Sequence, residues 1–236
     1  MPTPKLTEMR RGFSALSALL ADPDDLPQVF TIIESFGQSS LPRLVKRMQK
    51  SAAGRRLLAE QPDIVPVLQD RAALRRLPEG SLGRAYLAFV ESENISAEGI
   101  VAADLERHAT VVDPTPEHAW LRRRLRDTHD LWHAMTGYRG DVLGEAAILG
   151  FTLAQSWNNG IALIVGLGLL KTARAPEARR VILDGYRRGQ QAAWFIEQPW
   201  ETMLARPVDE VRRSLQIGPP PAYTPVRSSE LKAAAA

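Results

Sequence analysis

The sequence predicts an all-α protein, built as a single globular multi-helix domain. Two observations carry this reading. Apolar residues recur at helical spacing almost throughout, with no convincing period-two alternation. Prolines and glycines then punctuate that pattern where helices would begin and end. A chain of 236 residues with 44% hydrophobic content can also fill a sizeable core.

Taken in order, the elements are helices near 7–20 and 25–36, the second entered after Pro23 and ended by Gly37. A helix over 41–59 follows Pro42; its stripe Leu41, Leu44, Val45 and Met48 faces a core, while Arg43, Lys46, Arg47, Lys50, Arg55 and Arg56 gather elsewhere. Such a basic face can lie on an anionic membrane, but a solvated face is the simpler reading. Helices over 64–76, entered after Pro62, and over 81–93 and 96–108 come next. One long helix is expected over 116–136, opened by Pro116, then others over 141–157, capped by Asp141, and over 160–172, 176–196 and 207–215. Residues 1–217 make the domain. The remainder, 218–236, opens Gly218-Pro219-Pro220-Pro221 and closes on four alanines, which predicts an extended, mobile tail.

Composition excludes several functions. The net charge of +3 does not point to nucleic acid, and the absence of cysteine removes disulfides, thiolate ligands and a cysteine nucleophile. Met1-Pro2-Thr3-Pro4-Lys5 has neither secretory nor transit-peptide character, so a cytoplasmic protein is expected. The stretch Ala146 to Leu170 is apolar but is interrupted by Thr152, Gln155, Ser156, Asn158 and Asn159. Its clean run, Ile161 to Leu170, is half of the roughly 20 residues a bilayer requires. Trp120, Trp132 and Trp157 are expected in the core.

The segment that carries chemistry is His129-Asp130-Leu131-Trp132-His133, followed after eleven residues by Glu145. Histidines four apart share one face of a helix. Gly137 and Gly140 break that helix, Asp141 caps the next, and Glu145 in its first turn is aimed back toward the imidazoles. Asp130, about 100° around the helix, would bind a metal directly, through water, or by orienting an imidazole. On a continuous helix Arg122 and Arg126 fall on the same stripe as His129 and His133. One divalent metal ion, zinc or iron-like, on His129, Asp130, His133 and Glu145 is the expectation; a helical pair of ordinary core-edge histidines is the competing one.

These residues resemble the ubiquinone (coenzyme Q) biosynthesis protein family Coq four, marked by H-D-x-x-H, eleven residues and E. Two further segments are similar to the family: Leu77-Pro78-Glu79-Gly80-Ser81-Leu82-Gly83-Arg84-Ala85-Tyr86, and Trp200-Glu201 with Glu210-Val211-Arg212 through Leu215-Gln216-Ile217. After Glu145 the chain departs, with Ala146-Ala147-Ile148-Leu149-Gly150-Phe151 in place of a lysine and aromatic residues.

The resemblance implies an all-helical fold with an apolar lipid-binding groove and a catalytic metal on His129, Asp130, His133 and Glu145. The implied activity is oxidative C1 decarboxylation of a prenylated 4-hydroxybenzoate-type intermediate, a lyase reaction in which an iron-like ion could present dioxygen. Arg122 and Arg126 are substrate-anion candidates, although pairing with nearby carboxylates is the commoner role of arginine. Implied partners are the prenylated quinone precursor and other quinone-biosynthesis proteins, with peripheral attachment to the inner face of the cell membrane and a homodimer as a further expectation. The groove is expected beneath Ile148, Leu149, Phe151, Leu153 and Ile161 to Leu170, where Gly160, Gly166 and Gly168 allow close approach. Two other readings compete: a non-catalytic prenyl-lipid carrier or scaffold, and an HD-type phosphohydrolase that would add His108 to His129-Asp130.

Overall fold

The computed structural model describes residues 6–21, 26–37, 39–97 and 115–227. Fourteen α-helices and one 3-10 turn occur among the described residues, and no strand does; the all-α expectation holds. The helix predicted over 96–108 falls almost wholly outside the described residues. The expected domain resolves into two compact units, each an assembly of chain segments.

The first unit comprises the described parts of Met1–Ser40, Tyr138–Gln191 and Ala222–Ala236. It holds α1 (Leu6–Ala21), α2 (Leu26–Gly37), α10 (Val142–Ser156), α11 (Asn159–Lys171) and α12 (Pro176–Gln191). Helices α10 and α12 pack backbone to backbone: a Cβ on Gly185 would run into the Ala147 carbonyl, and one on Gly150 would meet Ile182 O at 2.8 Å. The small residues let the helices close, and Ile148 and Phe151 fill the seam at 0% exposure. Helix α11 rests on α2 through Gly160, whose Cβ would lie 2.5 Å from Ile32 O.

The second unit comprises Leu41–Gly137 and Ala192–Pro221. Its helices are α3 (Ser40–Met48), α4 (Ala52–Glu60), α5 (Val65–Gln69), α6 (Arg71–Arg76), α7 (Leu82–Ser92), α8 (Pro116–Asp127), α9 (His129–Thr136), α13 (Trp200–Met203) and α14 (Val208–Ser214). Of the stripe Leu41, Leu44, Val45 and Met48, the last three are buried as expected and Leu41 is half-buried.

Three predicted helices are broken in the structure, each for a local reason. The helix over 41–59 divides at Ser51, whose hydroxyl accepts from Gly54 N and starts a second helix. That over 64–76 divides at Asp70, whose carboxylate accepts from Ala73 N. That over 116–136 is interrupted at one residue, Thr128, with φ −93° and ψ 0°; Thr128 N still donates to Arg124 O and Trp132 N to Thr128 O, and the Thr128 hydroxyl bonded to Arg124 O favours a bend there. The helix over 176–196 ends at Gln191, and a 3-10 turn takes up Phe195–Glu197.

The described part of the tail, 218–227, holds no helix and is tied down. Tyr223 Oη donates to Asp141 Oδ2 at 2.7 Å, and Val226 N to Asp141 Oδ1 at 2.9 Å. A proline-rich segment has little ordering entropy left to lose, so a few hydrogen bonds suffice to hold it.

Candidate metal centre

Helix α9 carries most of the predicted site. Seven of its eight residues are buried, including Asp130 and His133. The Nε2 atoms of His129 and His133 stand 3.2 Å apart, with the rings at 79°. Two nitrogens bound to one ion at 2.0–2.1 Å and a tetrahedral angle are separated by about 3.3 Å, so this separation, which is also that of an imidazole–imidazole hydrogen bond, is compatible with two ligands on one metal. His133 is fully buried and His129 half-buried. Glu145 lies in the first turn of α10, in the first unit, half-buried, behind the Asp141 cap. His129, His133 and Glu145 are a group that could bind a metal ion.

The environment of α9 explains the other signature segments. Phe89 of α7 stacks on the His133 ring at 4.9 Å and 11°, fixing its plane. Arg212 of α14 donates from Nε to Met135 O at 2.9 Å and from Nη2 to Ala134 O at 3.0 Å, placing a cation on the last carbonyls of α9. The Leu77–Tyr86 segment docks on the chain after α13: Ser81 caps α7, Gly83 N donates to Leu204 O, and Val208 N donates to Gly80 O. Glu201 receives both guanidinium nitrogens of Arg124, at 2.7 and 3.0 Å, and Arg124 Nη2 also reaches Gln198 O. The three segments therefore build the scaffold that holds the histidine helix.

Sequence reasoning did not single out Phe89 or Arg124. Phe89 looks like any apolar residue of an amphipathic helix. Arg124 sits in a run of three arginines, and only packing distinguishes the buried one. The one-residue interruption at Thr128 lies between Arg122 and Arg126 on one side of the expected stripe and His129 and His133 on the other. Arg126 Nε donates to Asp127 Oδ1 at 2.6 Å, the carboxylate pairing that competes with an anion-binding role. His108 lies outside the described residues.

These features define a class: an all-helical protein with a candidate metal site whose two imidazoles lie on a buried helix. Within that class the chain belongs to the coenzyme Q (ubiquinone) biosynthesis protein Coq4 family, whose model matches residues 3–221. It is 29% identical to a Culex quinquefasciatus mitochondrial ubiquinone biosynthesis protein COQ4 homolog over 90% of this chain and 77% of that protein. It is 32% identical to the mitochondrial ubiquinone biosynthesis protein COQ4 of Yarrowia lipolytica over 76% of this chain and 67% of that one. A crystal structure from Nostoc punctiforme shares the fold at a TM-score of 0.64 and 22% identity, covering 89% of this chain and 98% of the other.

Ubiquinone biosynthesis is thus the process to which this chain belongs. No helix among the described residues is long and apolar enough to cross a membrane.

Proposed function

We propose that this protein is a metal-dependent enzyme of ubiquinone biosynthesis that removes the C1 carboxylate of a prenylated 4-hydroxybenzoate-type intermediate by oxidative decarboxylation: the C1–carboxylate bond breaks with loss of CO2, a hydroxyl from water takes its place, and dioxygen accepts the two electrons as hydrogen peroxide. The observation that carries the reading is the imidazole pair of α9, whose 3.2 Å spacing suits one ion inside a helix that is otherwise buried. His129, His133 and Glu145 would ligate the metal, and Asp130 would bind it or orient a ligand. When bound, a divalent cation would supply a Lewis-acid anchor for the carboxylate or phenolate of the substrate. The protein's own contribution is rigid presentation: Phe89 fixes the His133 plane, and Arg212 fixes the end of the helix. Arg122 and Arg126 remain candidates for the substrate anion, with Asp127 as the competitor for Arg126. Zinc and an iron-like ion are the two expected metals; the oxidative step requires dioxygen, which favours the second.

The prenyl tail would lie along α11, and the chain would work from the inner face of a membrane, beside other quinone-biosynthesis proteins. Leu170 is 71% exposed, and nothing lies within 4 Å of where a Gly166 Cβ would be, so this end of α11 has apolar surface to offer a lipid. Gly160 instead packs on α2, and Ile148 and Phe151 are fully buried, so the apolar surface that supports the proposal is that of the later half of α11.

That exposed apolar face also suits the second reading, a non-catalytic prenyl-lipid carrier or scaffold. The experiment that separates them is turnover of a prenylated hydroxybenzoate under air by the wild-type chain and by Glu145→Gln, with lipid extracted from both. An enzyme loses product and keeps lipid in the variant, whereas a carrier keeps lipid and shows no turnover in either. Gly166→Leu tests the groove: loss of long-chain lipid with metal retained supports it, and unchanged lipid occupancy moves the groove elsewhere.

A further inference from the structure

The residues that follow α14 form a strap whose ends meet two helix termini. Within the second unit, Pro220 occupies the space that a Cβ on Gly137 would need, and Gly137, at φ +80°, is the left-handed residue that ends α9. Within the first unit, Tyr223 and Val226 reach Asp141, the residue that begins α10. The strap thus touches the end of the histidine helix and the start of the glutamate helix.

The Asp141 carboxylate is buried, at 1% exposure, and four donors converge on it. Its Oδ1 accepts from Leu143 N at 3.1 Å, Gly144 N at 3.3 Å and Val226 N at 2.9 Å, and its Oδ2 accepts from Tyr223 Oη at 2.7 Å. Two of the four come from the strap. The Tyr223 hydroxyl in turn accepts from Arg139 N at 2.9 Å. The strap backbone adds an acceptor, since Val142 N donates to Val226 O at 3.0 Å, while Glu145 N donates to Asp141 O at 2.8 Å.

All four amides at the head of α10, from 142 to 145, are therefore paired, and one of them only because the strap is there. An ordinary Asp cap needs no such help. Gly144 completes the fit, because a side chain there would press on the Tyr223 hydroxyl and the Arg139 carbonyl.

We infer that the C-terminal strap is a positioning device for Glu145: Tyr223 and Val226, acting through Asp141, fix the first turn of α10 and with it the direction of the glutamate carboxylate. The inference rests on the metal reading of His129, His133 and Glu145. A side chain one helical turn from a cap takes its aim from that cap, and supports of metal ligands typically carry roughly 10-fold to 100-fold in affinity. Tyr223 and Val226 are positioning residues, since neither is offered as a ligand.

The test is Co2+ titration of the full chain, read by ligand-field absorption and dissociation constant, for wild type, Tyr223→Phe and Val226→Pro. Each is measured alone and combined with Glu145→Gln. The expected result is a roughly ten-fold weaker Co2+ affinity and an altered spectrum for each strap variant, with the strap effect abolished once Glu145 is replaced. Hydrogen exchange at amides 142–145 should rise in the same variants. Equal affinity in wild type and strap variants overturns the proposal, and so does an equal loss with and without Glu145, which would mean a purely structural strap. A wild-type chain that binds no Co2+ overturns the metal reading itself, and this proposal with it; the wild-type titration alone shows that failure.

Discussion

Helix α9 is rich in polar side chains yet buried, whereas α11 is the more apolar in sequence and keeps most of its side chains within reach of solvent. Seven of the eight residues of α9 are buried, against Gly160, Ile161 and Val165 in the thirteen of α11. Burying His133, Asp130 and Thr136 costs free energy unless each polar atom finds a partner, so the fold spends packing and hydrogen bonds on α9 that hydrophobicity alone would not direct there. Leaving Leu170 exposed costs in the opposite sense. The contrast separates a helix whose polar side chains are buried from one whose apolar side chains stay within reach of solvent.

The contrast is broken most severely at the scaffold of α9. Glu201→Gln leaves the Arg124 guanidinium, with 3% side-chain exposure, short of its counter-charge. A loss of about 3 kcal/mol or more in urea unfolding is expected, because removing one member of a buried pair strands the other. The seam of the other unit should respond nearly as strongly. Gly185→Ala drives a methyl group into the Ala147 backbone and should cost about 2 kcal/mol or more in the same assay.

Alkaline pH loosens the surroundings of α10. Burial pushes the phenols of Tyr138 and Tyr223 up, and the hydrogen bond to Asp141 raises Tyr223 further. A raised folded-state value means that their contribution is complete below the ordinary tyrosine value of about 10 and is lost as pH rises above it. The urea midpoint should therefore fall between about pH 9 and about pH 11, and Tyr223→Phe should shrink that fall. The smallest effect belongs to α11. Gly166→Leu enters open space in a helix and should leave stability unchanged or raise it by up to about 1 kcal/mol, against the clear loss at Gly185.

Much of this was legible in the sequence because helical period, prolines at helix entries and the glycine hinge are local signals. The H-D-x-x-H segment, the Asp141 cap and the placement of Glu145 in the next first turn all follow from spacing of four residues or fewer. What was not legible depends on partners distant in the chain. The interruption at Thr128 is a single residue at φ −93° and ψ 0° within an otherwise helical run, which propensity does not mark. Phe89 and Arg212 meet α9 from segments about 40 and 80 residues away, so nothing local marks them. Trp157, expected in the core, is 58% exposed, because it closes α10 in the left-handed conformation at φ 51°. The anchoring of the described part of the tail was not legible for the same reason: proline content predicts an extended chain but is silent about the buried carboxylate that Tyr223 and Val226 reach.

On the proposed reading, the buried helix holds a metal ion. Elemental analysis of the purified full-length wild type, His129→Ala and His133→Gln, beside circular dichroism of each, tests it most directly. One divalent metal per wild-type chain, with metal lost from both variants while the helical signal is kept, is the predicted result. Metal content that is unchanged in folded His129→Ala and His133→Gln, or absent from a wild-type chain offered zinc and ferrous iron, would contradict it.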